Sequence, residues 1–335
     1  MNGTTFNIGI DIGGTSVRAA VIDDHCEIVA SRRASTPRTV QETEDVLSSL
    51  ITELAAEFEV GAAGLAVAGF VSTDRRRVMF APHLAWRSDP VPARLTARVG
   101  LPVVMDHDVN SAAWAEYRSG AAQHSPVALL IALGTGIGAG LVIEGEIYRG
   151  AHGVAPELGH VVVVPGGRPC PCGKHGCWER YCSGTALAQT ARELLEGWSV
   201  GEHEPLSGGV RAGSPLALVD PARITGTMVA GAARDGDPVA LAAMEDLSRW
   251  LGVGLAMATD IIDPEVIVIG GGVAAAAPFY LPTAQRDLSL GMTGAGHRPE
   301  PRLVVAKFGD RAGIIGAALL AGAAVGAPPG DLAPA

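Results

Sequence analysis

Three cysteines stand close together as Cys170-x-Cys172-x4-Cys177, and His160 lies ten residues upstream of the first. Three thiolates and one imidazole are the donor set of a closed, tetrahedral structural zinc site. His175, inside the run, and Cys182, just after it, compete as ligands, and spacing leaves both open. The five cysteines are an odd number for a disulfide framework, so in a cytosolic protein the cluster reads as metal before disulfide. A helical Glu-x-x-His pair at Glu157 and His160 is not expected, because glycine and proline surround it.

Glycines carry a second chemistry. The run Leu133–Gly140, LGTGIGAG, has the look of a dinucleotide turn, but LVIEGEI follows it and reads as a strand, whereas a dinucleotide turn must open a helix. A Walker A loop is absent too, since Gly173-Lys174 is followed by His175 instead of Ser or Thr. What remains is a pair of glycine hairpins, one at Gly13, Gly14 and Thr15 behind Asp11, the other at Gly134, Thr135 and Gly136. Backbone N–H groups in such turns cradle phosphates. Gly270, Gly271 and Gly272 stand between an apolar strand and a helix, which suits a nucleoside approaching a helix N-terminus. The third candidate is Asp108, at the end of the strand PVVMDHD and just before a helical run. Ligands bind at that end of a strand in an α/β sheet. An aspartate there also serves as a helix N-cap, and local sequence alone favours the cap.

The elements that must hold these residues follow from periodicity. FNIGIDIGGTSVRAAVID reads as strand, tight turn, strand, and residues 40–58 as a helix with acids early. GLAVAGF and PVVMDHD are strands flanking a helix from Pro92 to Val99, VNSAAWAEYRSG is helical, and Arg75, Arg76 and Arg77 form a turn between strands. Residues 238–261 make a long amphipathic helix, and PEVIVIGGGVA is a buried strand ahead of another. Shifting the chain by 121 residues lays Gly13 on Gly134 and Val21-Ile22-Asp23 on Val142-Ile143-Glu144. That echo points to two similar α/β halves, each with its own glycine hairpin.

At 335 residues the chain suits two domains, and 48% hydrophobic against 18% charged residues is a globular composition. A net charge of −10 argues against nucleic acid as a partner. The apolar runs Val127–Ile143 and Ile314–Ala327 are too broken or too short for a membrane span. With no leader evident, the expectation is a soluble, cytoplasmic protein with no membrane partner. The tail APPGDLAPA is expected to be disordered.

Taken together these residues resemble the ROK family (repressors, open reading frames and kinases) from about Asn7 to Ala321. DIGGT at 11–15 and LGTGIGAG at 133–140 are similar to its two phosphate motifs. GVAPELGH at 153–160 with CPCGKHGCWERYCSG at 170–184 is similar to its sugar-and-zinc signature, and VIVIGGGV at 266–273 to its adenosine motif. The resemblance implies a two-domain actin/hexokinase-like fold of ribonuclease H-like halves with a cleft between them. One domain would be residues 1–113 with about 314–335, the other 114–313 with the zinc loop. It implies ATP-dependent phosphorylation of a hexose, glucose first, with Asp108 taking the proton of the 6-hydroxyl. Gly69, His83, His107, Glu157, His160 and Glu179 would contact the sugar. Gly13, Gly14, Thr15, Gly134, Thr135, Gly136, Gly271 and Gly272 would meet the nucleotide. Zinc would sit on His160, Cys170, Cys172 and Cys177, magnesium at Asp11, and the family commonly forms homodimers or homotetramers.

Two positions depart from the family pattern. Its Glu-Asn-Asp-x-Asn run is Asp106-His107-Asp108-Val109-Asn110 here, and its Ala-Pro-Asn is Ala81-Pro82-His83. Two sugar contacts thus become histidines, which are bulkier and titrate near neutrality. That leaves open a kinase for N-acetylmannosamine, mannose or fructose, or one using polyphosphate. A non-catalytic sugar sensor, or a repressor with a DNA-binding domain ahead of the first phosphate motif, is the contrasting reading. The motif begins near residue 7, which leaves no room for such a domain.

Overall fold

The computed structural model describes residues 6–198 and 206–326. The N-terminal hairpin forms as β1 (Phe6–Ile12) and β2 (Ser16–Ile22), followed by β3 (Ile28–Ser35). Helix α1 (Val40–Glu57) is capped by Thr39, whose hydroxyl accepts from the Glu42 N–H and donates to the Glu42 carboxylate. Leu47, Leu50, Ile51 and Leu54 give it one buried stripe. Strands β4 (Val60–Val67), β5 (Phe70–Val71), β6 (Val78–Phe80) and β7 (Arg87–Asp89) come next. Helix α2 (Val91–Val99) leads to β8 (Val103–His107) and α3 (Asp108–Ser119). The second glycine hairpin is β9 (Val127–Leu133) and β10 (Ile137–Ile143), with β11 (Glu146–Ile147) after it.

Helices α4 (Gly184–Glu196), α5 (Gly208–Gly213), α6 (Gly226–Arg234) and α7 (Pro238–Ile262) follow. Then come β12 (Val266–Gly270), α8 (Ala277–Gly291), β13 (Arg302–Val305) and α9 (Ala312–Gly326). The triple glycine does not open a helix directly; a 3₁₀ segment, Gly272–Ala276, precedes α8. Among the described residues no helix is long and apolar enough to cross a membrane. The Pro-rich tail and the first residues lie outside the described residues.

Two five-stranded sheets have the same order, β3-β2-β1-β4-β8 and β11-β10-β9-β12-β13. In the first, β1 pairs antiparallel with β2 and parallel with β4, and β4 pairs parallel with β8. In the second, β10 and β11 are antiparallel and β12 and β13 parallel. By its contacts the chain divides into two compact units. One holds residues 1–130, 140–156 and 310–335, the other 131–139 and 157–309.

In the first unit α1 and α2 pack on one face of the sheet, where Ile8, Ile10, Leu65, Leu95 and Trp86 form the core. Helix α9 packs on the other face, closely enough that only glycine fits beneath it. A Cβ on Gly9 or Gly64 would lie 1.9 Å from the carbonyl oxygen of Ile314 or Ala317. In the second unit α7 packs against α4, α6 and α8. It is capped by Asp237 with Pro238 in its first turn.

Candidate active site and metal centre

Asp108 stands where parallel strand β8 hands over to α3. It does not act as the helix cap. The cap position belongs to His107, which makes no side-chain cap bond, and Asp108 is already the first helical residue. Its Oδ1 accepts from the Val109 N–H at 2.8 Å and lies 3.1 Å from His107 Nε2. A third of the side chain is solvent-exposed. Desolvation nevertheless raises the carboxyl above the usual aspartate range, Asp11 adds to the rise, and His107 opposes it.

The junction beneath Asp108 is held by a buried ion pair. Arg149 donates from Nε at 3.0 Å and from Nη2 at 2.5 Å to Asp106 Oδ2, with Asp106 1% and Arg149 16% exposed. Asp106 Oδ1 accepts from the His107 N–H and from Asn110 Nδ2, both at 2.9 Å. The shorter aspartate in the family's glutamate position thus ties strand, turn and helix together. Arg149 was missed in the sequence, since a lone arginine 43 residues away gives no local signal.

Asp11, at the end of β1, is the partner of Arg18 in the β1–β2 register and accepts its Nε and Nη2 at 3.2 and 2.6 Å, both on Oδ2. The turn that follows is closed by Gly13 N–H to Ser16 O at 3.1 Å and by Thr36 Oγ1 to Gly13 O at 2.6 Å. Gly14 and Thr15 are exposed. His83 lies directly over Gly14, its Cβ 2.7 Å from where a Cβ there would be. Gly69 lies as close to Ala81, so the Gly69 turn, the His83 loop and the phosphate turn are brought together within the first unit.

In the second unit a cavity of 830 Å³ is lined by Gly134, Thr135, Gly184, Thr225, Gly226 and Gly272, among others. Two helices start at it. Ser183 caps α4 and Thr225 caps α6, each followed by glycine. A Cβ on Gly226 would sit 2.4 Å from the Gly184 carbonyl, and the Gly184 N–H donates to Gly134 O at 2.8 Å. Helix N-termini and a glycine turn converging on one cavity make an anion-binding arrangement of nucleotide size. The repeated Ser-Gly-Thr and Thr-Gly-Thr at 183–185 and 225–227 were the overlooked sequence signal. Five expected nucleotide residues do not line the cavity: Gly13, Gly14 and Thr15 belong to the first unit, Gly136 faces Glu179, and Gly271, at φ 81°, lies against the Leu133 backbone.

His160, Cys170, Cys172 and Cys177 come together, their ligand atoms all within 4.8 Å of one another. Cys172 Sγ and Cys177 Sγ are 3.6 Å apart, and Cys170 Sγ is 3.7 Å from His160 Nδ1. Bonds of about 2.0–2.3 Å to a central zinc put tetrahedral ligands roughly 3.5–3.8 Å apart, so the donor set fits that ion. Burial raises the Cys170 and Cys177 thiols, which a divalent cation would counter. His175 and Cys182 are not part of the cluster; Cys182 is wholly buried, and its thiol is raised by that burial. Glu157 to His160 contains one 3₁₀ turn, Leu158–His160, and no α-helix.

Glu179 Oε1 lies 3.2 Å from Cys170 Sγ and 3.7 Å from His160 Nδ1, while His160 Nε2 faces Glu157 at 3.9 Å. Trp178 anchors this loop. Its fully buried indole donates to Trp250 O at 2.7 Å and fills the space that a side chain at Gly254 would need on α7.

A repeated sheet order, each copy with a glycine hairpin, and an aspartate at a strand's carboxyl end define the actin/hexokinase-like class of sugar kinases. Within that class the chain belongs to the ROK family, which matches residues 7–324. It is 38% identical to the glucokinase of Streptomyces coelicolor over 94% of this chain and 96% of that protein. Among solved structures it resembles a ROK family glucokinase from Streptomyces griseus in complex with glucose and AMPPNP, with a TM-score of 0.82 and 37% identity over 95% of this chain and 99% of that one. A ROK hexokinase from Thermus thermophilus matches with a TM-score of 0.73 and 30% identity over 96% and 99%.

Proposed function

We propose that this chain is a cytoplasmic, ATP-dependent glucokinase. The oxygen of the sugar's 6-hydroxyl attacks the γ-phosphorus, the bond to the ADP bridging oxygen breaks, and the hydroxyl proton passes to Asp108. A sugar hydroxyl is a very weak acid, so positioning and charge neutralisation dominate and the proton moves late. The observation that carries the reading is the Asp108 carboxylate, a third exposed at the carboxyl end of a parallel strand with its Oδ1 held by the Val109 N–H.

Glu157, His160 and Glu179 hold the sugar hydroxyls, since a carboxylate accepts from two neighbouring hydroxyls at once. Gly69, His83 and His107 complete the sugar contacts. Gly134, Thr135 and Gly272, with the starts of α4 and α6, cradle the nucleotide. Zinc on His160 and the three cysteines fixes the loop that carries Glu179 and orients the imidazole. Asp11 contributes an oxygen to magnesium, which neutralises phosphate charge when bound. The functional unit is a homodimer or homotetramer.

The test is a coupled assay over a sugar panel, with ATP and with polyphosphate, on wild type and Asp108→Asn. Turnover on glucose with ATP is expected, lowered by about 10²–10⁴ in the variant with zinc content and glucose binding retained. Substantial turnover in the variant removes Asp108 as base. Preference for an N-acetylated hexosamine, mannose or fructose assigns His83 and His107 to another sugar.

A further inference from the structure

The face of the first sheet under α9 carries a recess with an unusual charge. Gly9 points at α9, so its register partner Ala20 and the next partner, Ser31, continue the same row. The row beside it runs Asp11, Arg18, Arg33. Small side chains at Ala20 and Ser31 leave a cavity of 320 Å³ between the β2–β3 ladder and the start of α9, rimmed by Arg18, Arg33, Arg311 and Ile314. Arg32 borders it as well, but its guanidinium is engaged by Glu57 and the Ser31 carbonyl.

Arginines placed opposite each other on an antiparallel ladder repel, and Arg18 faces Arg33. Arg18 is satisfied by Asp11 and Asp310. The guanidiniums of Arg33 and Arg311 have no hydrogen-bond or ion-pair partner among the described residues. The chain as a whole carries a net charge of −10, so two guanidiniums without a counter-charge beside one recess, Arg33 and Arg311, call for an anion.

We infer that this recess binds a phosphate dianion, free or as a sugar monophosphate. Arg33 and Arg311 supply charge-assisted donors, and the Ser31 hydroxyl adds a neutral one. The volume exceeds that of inorganic phosphate and leaves room for an attached sugar. The recess belongs to the first unit and the nucleotide cavity to the second, and binding at the recess does not depend on the kinase reading. Its link to activity does rest on that reading. An anion here shares Arg18 with Asp11, and so alters the partner of the carboxylate assigned to magnesium.

Isothermal titration of the full chain, held in saturating glucose so that the sugar site is closed to the product, with inorganic phosphate and separately with glucose 6-phosphate, tests the site in wild type, the double variant Arg33→Ala/Arg311→Ala, and Thr135→Val in the nucleotide cavity. One saturable site is expected, weakened roughly tenfold or more by the double variant and unchanged by Thr135→Val. Glucose turnover of the double variant in phosphate-free buffer should stay within about twofold of wild type. Ser31→Asp, which adds a carboxylate to the floor and removes no arginine, should cause the same loss of binding. Saturation by only one of the two titrants identifies the occupant. Binding that survives the double variant, is lost only in Thr135→Val, or is displaced equally by chloride overturns the site. Phosphate binding of the expected kind without sugar turnover leaves the site standing and removes the kinase reading.

Discussion

The two sheets share one strand order, yet their functional ends are secured by different forces. In the first, charged side chains do the holding: Arg18 on Asp11, Arg149 on Asp106, and Asp106 in turn on the backbone and Asn110 ahead of Asp108. In the second, backbone meets backbone. Gly184 donates to Gly134, Gly226 packs on Gly184, and Gly271 lies on Leu133. A repeated topology has thus been specialised. On the proposed reading, one copy would keep carboxylates oriented for a metal and a proton, and the other would keep N–H groups clear of side chains so that phosphates could approach. Carboxylates need counter-charges to stay ionised when half-buried. N–H groups need only the absence of a Cβ.

Breaking the buried pair of the first sheet should have the largest effect. Arg149→Ala leaves the Asp106 carboxylate buried without its cation, and a loss of about 3–5 kcal/mol is expected in denaturant unfolding. A loss under about 1 kcal/mol would mean that the pair is not holding the junction. In the second unit, Gly226→Val drives a side chain into the Gly184 carbonyl. The overpacking should cost about 1–3 kcal/mol, and nucleotide affinity should fall with little change in affinity for glucose. Nucleotide binding at wild-type strength would refute the backbone account. Cys172→Ser should lose bound zinc, read by atomic absorption, and loosen the loop that carries Glu179, raising KM for the sugar more than KM for ATP.

The pH dependence sharpens the contrast further, because the proposed base stands at the end of the first sheet. Desolvation holds the Asp108 carboxyl above its unfolded value. Its contribution to stability is therefore fully present below the unfolded value and is lost as pH rises through the folded one. Asp108→Asn should then melt higher than wild type at neutral pH, and the gap should close in acid. As a base, Asp108 must be ionised, so wild-type kcat/KM should fall on acidification with a midpoint above that of an ordinary aspartate. A flat profile across that range would detach the rate from this carboxylate. The smallest effect belongs to Arg18→Ala. Its pair with Asp11 is 38% and 22% exposed, so about 0.2–1 kcal/mol should be lost, less at high salt.

Much of this was legible along the chain. The hairpins at Gly13 and Gly134, the long helix ending at Ile262 and the buried strand before Gly271 follow from local alternation, periodicity and breakers. The candidate metal cluster was legible because three thiols and an imidazole within eighteen residues have few other uses. Arg149, Trp178 and the paired glycines 184 and 226 were not, because each acts on a residue far away in sequence whose position depends on packing.

The amino-acid sequence by itself determined the local grammar of this protein: which segments alternate, where glycine must turn, and which side chains can carry metal or proton chemistry. Only the tertiary structure decided between readings that local sequence leaves equal. It made His107 instead of Asp108 the cap, and kept His175 and Cys182 off the metal cluster. It turned Gly136 toward Glu179 and set Arg33 opposite Arg18 around a recess. The reason is range: backbone preferences act over a few neighbouring residues, whereas burial, charge pairing and register join residues that the chain separates by dozens or hundreds.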